Sequence, residues 1–172
     1  MIPLYGLFQQ MSSKTQMKTY TAFLLLLVFS FTSCRKKNVI CEGVSQAAES
    51  GIIAGFCKDN GINYSADANG IYYEIIQQGS GSFPADDSLI TVTYSATGLD
   101  GTVYFSLTPD TPVKDYLYNF IEGWRLALPY IQKGGHIKMV IPSSLCYGCS
   151  GSDAIPPNTP LYFDIYLIDV SR

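Results

Sequence analysis

The sequence predicts an α+β fold, an antiparallel β-sheet with one short helix, preceded by a separate N-terminal helix. Three observations carry this. Beyond Gly70, short runs rich in aromatic and β-branched residues alternate with Gly, Pro, Asn and Asp turns. Only Trp124 to Ile131 breaks that rhythm with a helix-like apolar pattern. Strands gathered around a single helix, without βα alternation, point to an antiparallel sheet.

The elements follow in order. Val44 to Lys58 places apolar or small residues at Val44, Ala47, Ala48, Ile52, Phe56 and Cys57, a helical face weakened by Gly51 and Gly55 and stopped at Asp59-Asn60-Gly61. Residues 62–70 are a polar connection. Strands are expected over Ile71–Gln77, Ser88–Gly98 and Thr102–Phe105, with a short edge strand over Val113–Leu117. Pro129 makes the Trp124–Ile131 helix short or distorted. His136–Pro142 and Leu161–Val170 complete the sheet. There is no internal repeat and no low-complexity segment.

The N-terminus reads as an export signal. Lys14 and Lys18 precede the apolar run Ala22–Phe31, which is shorter than the roughly 20 residues a membrane-spanning helix needs. Met17 is the better start, because it leaves a compact positive region. Phe31-Thr32-Ser33-Cys34 resembles a relaxed lipobox of the Bacteroidetes-like kind, with Phe31 where leucine is usual. That resemblance implies lipidation at Cys34; an ordinary signal peptide is the competing reading. The expected organisation is a signal peptide over 1–33, a lipidated tether over 34–43, a helical extension over 44–69 and the main domain over 70–172.

Removal of residues 1–33 leaves 139 of the 172 residues, the size of one domain with a core of its own. From Asn38 onward there are six Lys/Arg against fourteen Asp/Glu, a net charge of −8, which argues against a nucleic-acid partner. The basic run Arg35-Lys36-Lys37 follows the lipidation site and would attract anionic headgroups, or serve as a solvated tether. Five cysteines fit an oxidising compartment. With Cys34 lipidated, Cys41, Cys57, Cys146 and Cys149 allow three pairings. The economical one joins neighbours in sequence, Cys41–Cys57 and Cys146–Cys149. The Cys146-x-x-Cys149 spacing leaves a structural disulfide, free thiols, or redox or metal chemistry open, although its Gly/Ser-rich loop is unlike a redox helix start. His136 is the one histidine, too few for a zinc set, and is expected at the surface.

The motifs run Tyr94, Asp100-Gly101, Phe120-Ile121-Glu122-Gly123-Trp124, Lys133-Gly134-Gly135, Ile141-Pro142-Ser143, Tyr147-Gly148, Ile155-Pro156-Pro157-Asn158 and Leu161-Tyr162-Phe163-Asp164. In this order they resemble the FKBP family of peptidyl-prolyl isomerases. The resemblance implies a twisted five- or six-stranded sheet wrapped around a short helix, no cofactor and no metal. It also implies an aromatic cavity that takes Pro-containing segments of unfolded polypeptides. Trp124 would be the floor, and Tyr94, Tyr104 and Phe163 the walls. Phe120 and Ile121 would form the rim, with the Ile121 N–H as a donor; Tyr147 would offer its hydroxyl, and Ile155 would close the far side. Core filling is the competing reading for each aromatic.

Two departures stand out. Where the family carries an F-D pair after the D-G turn, this chain has Tyr104-Phe105, so Phe105 occupies the position of the pocket aspartate. Val113 replaces a second pocket phenylalanine. The implied function is isomerisation of X–Pro bonds in envelope proteins, lipid-anchored and facing the periplasm from the outer membrane, with activity reduced by the missing carboxylate. A binding or chaperone module on the same fold and a thiol-active lipoprotein are the rivals.

Overall fold

The computed structural model describes residues 41–171. The expectations for a start at Met17, a signal peptide over 1–33 and a lipid on Cys34 lie outside the described residues. Helix α1 spans Gln46–Asp59; Ser45 caps it by accepting from the Ala48 N–H. Strands follow as β1 (Ser65–Ala66), β2 (Tyr72–Gln77), β3 (Leu89–Gly98), β4 (Val103–Ser106) and β5 (Val113–Tyr116), then helix α2 (Glu122–Ala127), β6 (Gly135–Ile141) and β7 (Leu161–Ser171). One antiparallel sheet holds all seven strands in the order β1-β2-β6-β7-β3-β4, with β5 also paired to β3. The resemblance implied five or six strands; the two-residue β1, inside the stretch read as a connection, makes the seventh. The helix expected over Trp124–Ile131 begins two residues earlier and stops at Ala127; the distortion expected from Pro129 is a 3-10 turn over Leu128–Tyr130.

Strand alternation sorts the side chains into two cores. Ile137, Met139 and Ile141 of β6 and Leu161, Phe163, Ile165 and Leu167 of β7 share the main core with Trp124, Ala127 and Leu128 of the helical segment. Val140 and Tyr162, pointing the other way, pack with Ile53, Phe56 and Cys57 of α1. Gly123 permits the close seat of α2 on β6, because a Cβ there would collide with the Ile141 side chain.

Three expectations are corrected. The buried face of α1 is Glu49, Ile53 and Cys57, one residue every four, while Ile52 is exposed. A glutamate on the core face hides that face from an apolar pattern. His136 is 9% exposed rather than a surface residue. Its Nε2 sits 2.5 Å from Asp164 Oδ1 and its ring stacks on Tyr166 at 3.8 Å, because the β6–β7 register sets it opposite Tyr166 and diagonal to Asp164. The disulfide joins Cys41 to Cys149, across 108 residues, and Cys57 and Cys146 are free. Cys57 lies eleven residues into α1 and Cys41 ahead of its start, so ~16 Å of helix rise separates them. Cys146 Sγ turns inward to the Ile141 carbonyl at 3.7 Å, away from Cys149.

Candidate active site

A cavity of about 220 Å³ opens on the α2 side of the sheet, lined by Tyr94, Phe105, Asn119, Phe120, Ile121, Trp124, Tyr147, Leu161 and Phe163. Each wall has a local cause. Tyr94 and Ala96 of β3 share a face with Ile165 and Phe163 of β7, their register partners. Trp124, 2% exposed, rises from α2 as the floor. Phe120 stacks on it at 4.9 Å and 13°, while Tyr94 and Phe163 meet it edge-on at 4.8 and 5.5 Å. Such packing fixes every ring against its neighbours, beyond the effect of burial alone. The Trp124 Nε1 is buried with no hydrogen-bond partner among the described residues.

A β-bulge brings Phe105 to this cavity. Ala96 pairs with Phe105 and Thr97 pairs with Val103, so Tyr104 is the extra residue between them. In a regular strand Phe105 would share the face of Val103, two residues before it; the bulge sets it opposite Ala96 instead, on the face of the aromatic wall. Phe105 stays 38% exposed, leaving surface for a ligand to cover.

Polar groups border the apolar walls. Tyr147 lies between the 3-10 turns Ser143–Leu145 and Gly148–Ser150, and burial, then the neighbouring Tyr94 and Cys146, pushes its phenol above the ordinary tyrosine range. Burial does the same to Tyr94. Both hydroxyls therefore remain donors throughout the neutral range. Ile121 is the N-cap of α2, its carbonyl accepting from the Trp124 and Arg125 N–H groups. Among the described residues its own N–H has no acceptor. The site thus combines an aromatic box with three donors, the Tyr94 and Tyr147 hydroxyls and the Ile121 N–H, and no carboxylate in its lining.

Of the residues expected from sequence, Tyr94, Phe105, Phe120, Ile121, Trp124, Tyr147 and Phe163 come together. Tyr104 and Ile155 do not line the cavity. Tyr104, the bulge residue, packs on the core beside Gly98. Ile155 is buried in the core and locks its loop by exchanging hydrogen bonds with Ser152. Asn119 and Leu161 were missed. Asn119 gives no signal of its own, and Leu161 reads only as the first residue of a strand. The C-x-x-C reading is also corrected: Cys149 is bonded to Cys41, and burial, then Glu49, pushes the Cys146 thiol far above the range of a reactive cysteine.

The family model described as FKBP-type peptidyl-prolyl cis-trans isomerase matches residues 80–168, more than half of the chain. The chain belongs to the FKBP-type peptidyl-prolyl cis-trans isomerase family. Among relatives of this FKBP-type chain is the FKBP-type peptidyl-prolyl cis-trans isomerase FkpA of Escherichia coli K12, 40% identical over 116 residues, covering 67% of this chain and 42% of the relative. The FKBP-type 22 kDa peptidyl-prolyl cis-trans isomerase of the same organism is 30% identical over 138 residues, covering 79% and 63%. The crystal structure of FkpA from Escherichia coli superposes with a TM-score of 0.66 at 32% identity, covering 90% of this chain and 70% of that one. A peptidyl-prolyl cis-trans isomerase from Pseudomonas syringae gives 0.64 at 33%, covering 74% and 94%. The FKBP-type chain spans less than half the length of the FkpA sequence from Escherichia coli.

Proposed function

We propose that this FKBP-type chain catalyses cis–trans isomerisation of X–Pro bonds in unfolded, Pro-containing polypeptides of the cell envelope. The observation that carries the proposal is the Trp124 box, walled by Tyr94, Phe120 and Phe163 and bordered by Tyr147 and Ile121. Rotation about the amide must overcome about 18–20 kcal/mol because resonance is lost on the way. The twisted amide is less polar than the planar one, so a dry cavity disfavours the ground state more than the transition state. Trp124 and Phe163 grip the proline ring. The Tyr147 hydroxyl and the Ile121 N–H hold carbonyls of the segment, fixing one side of the bond while the other turns. No proton moves and no covalent bond forms.

A refolding assay limited by prolyl isomerisation tests this. Acceleration by the native chain and its loss in a folded Trp124→Leu variant are expected; no acceleration by the native chain refutes the proposal.

Phe105 favours a second reading, a module that holds Pro-containing segments without turnover, since an apolar wall replaces the carboxylate expected there. Suppression of client aggregation retained in a Trp124→Ala variant, with no isomerisation by the native chain, would select it.

The proposed location is the periplasmic side of the outer membrane, with an acyl anchor on Cys34. The apolar run Ala22–Phe31 ahead of Phe31-Thr32-Ser33-Cys34 supports that reading. Incorporation of labelled fatty acid that disappears in Cys34→Ser checks it.

A further inference from the structure

Tyr147 sits in a segment with little regular structure of its own. Between Pro142 and Leu161 the backbone forms two 3-10 turns and no strand. The N-terminal extension grips this segment at three points. The Glu49 carboxyl accepts from the Ser143 backbone N–H at 2.8 Å and from the Ser143 hydroxyl at 2.6 Å. Cys41 is bonded to Cys149. Asn158 accepts from the Val44 N–H at 3.3 Å, and its side-chain amide donates to the Glu42 carbonyl at 3.2 Å. Asn158 also donates its backbone N–H to the Gly148 carbonyl at 2.8 Å and holds a left-handed φ of 54°, a conformation asparagine tolerates better than most residues. These contacts bracket Tyr147, Ser143 four residues before it and Cys149 two after.

Docking of α1 does not require Glu49. Ile53 and Cys57, both fully buried, already seat the helix on Val140. A carboxyl group 2% exposed is a costly choice for adhesion alone, and an apolar residue would hold the helix at less cost. What the carboxyl adds is direction. It engages both donors of a single residue, and that residue opens the turn leading to Tyr147.

We propose that Glu49 is a positioning residue for the isomerase reaction. Together with the Cys41–Cys149 bond, it fixes the 143–149 turn so that the Tyr147 hydroxyl stays aimed into the cavity. The N-terminal extension is thereby part of the support of the active site. The proposal rests on the reading of Tyr147 as a site residue.

The test uses the full chain, with kcat and KM measured separately by exchange spectroscopy on an X–Pro peptide and the labelled Tyr147 ring followed by NMR. Glu49→Ala is expected to shift the Tyr147 signal and lower kcat about tenfold, the scale of a small misplacement of a positioned group, with KM nearly unchanged. Glu49→Gln keeps an oxygen acceptor for Ser143 and restores most of the rate. Ile53→Ala lowers the melting temperature and leaves kcat and the Tyr147 signal alone. Cys41→Ser moves the Tyr147 signal in the same direction as Glu49→Ala, and carries the test if Glu49→Ala does not fold. An unmoved Tyr147 signal in Glu49→Ala and Cys41→Ser overturns the proposal, as does an equal loss of kcat in folded Ile53→Ala. If the native chain shows no turnover, the isomerase reading fails by itself, and the ring signal still decides whether Glu49 positions Tyr147.

Discussion

Phe105 lies 6.5 Å, centroid to centroid, from Tyr94, and the bulge at Tyr104 is what turns it there. The residue that departs most from the family pattern is therefore part of the cavity wall, not an idle surface substitution. Its exposed remainder can be covered by the residue next to the proline. Phe105→Ala should raise KM roughly fivefold, the equivalent of about 1 kcal/mol of apolar contact, with a smaller change in kcat. Exchange spectroscopy on peptides with Leu or Phe before the proline measures it.

Trp124 joins the floor of the cavity to the core, so its loss acts on both. Trp124→Ala is expected to cost about 3–5 kcal/mol of stability and to abolish turnover. Denaturant unfolding followed by circular dichroism gives the first quantity. Trp124→Leu, which leaves a smaller void, separates the second from unfolding.

The Tyr147 hydroxyl is expected to contribute about 1–1.5 kcal/mol to turnover through one hydrogen bond, so Tyr147→Phe should lower kcat roughly tenfold. Stability should change little, since no partner within the described residues is left unpaired. Its raised phenol should give the pH–rate profile no inflection below pH about 10.

Alkaline stability follows from the same physics with the sign worked out. Burial, then the hydrogen bond to Asp67, pushes Tyr130 from 10.0 up to about 12, and burial also raises Tyr94, Tyr147 and Tyr162. Above pH 10 the unfolded chain releases these protons while the folded chain keeps them, so the folded state binds more protons and stability falls with rising pH. The tyrosine contribution should be intact below pH about 10 and lost as pH climbs to about 12. Urea unfolding at a series of alkaline pH values measures the slope, and Tyr130→Phe should reduce it.

The Cys41–Cys149 bond closes a loop of 108 residues, for which the chain-entropy account allows up to about 4–5 kcal/mol of stabilisation. Cys41→Ser should lower the melting temperature accordingly, and a thiol reductant should do the same to the native chain. Mass mapping of the oxidised protein should find the 41–149 cross-link, with Cys57 and Cys146 alkylatable only after unfolding.

The sequence by itself determined the α+β class, the order and near-exact extent of the main strands, a helix made short by Pro129 and seven residues of the cavity lining. These are legible because strand alternation, turn residues and the G-W and IPPN motifs are local patterns, each readable within about ten residues. The tertiary structure alone decided how distant segments meet. Cys41 finds Cys149 because α1 carries Cys57 away from it and the 148–150 turn brings Cys149 to the start of the extension. His136 is buried because the register of β6 against β7 places Asp164 and Tyr166 beside it. Glu49 reads as a solvent-facing charge until Ser143, 94 residues later, supplies its two donors. Phe105 turns inward only because β4 carries one residue more than β3 can pair. A polar partner, a register shift and a disulfide across the chain are all satisfied between segments remote in sequence, and no local pattern records them.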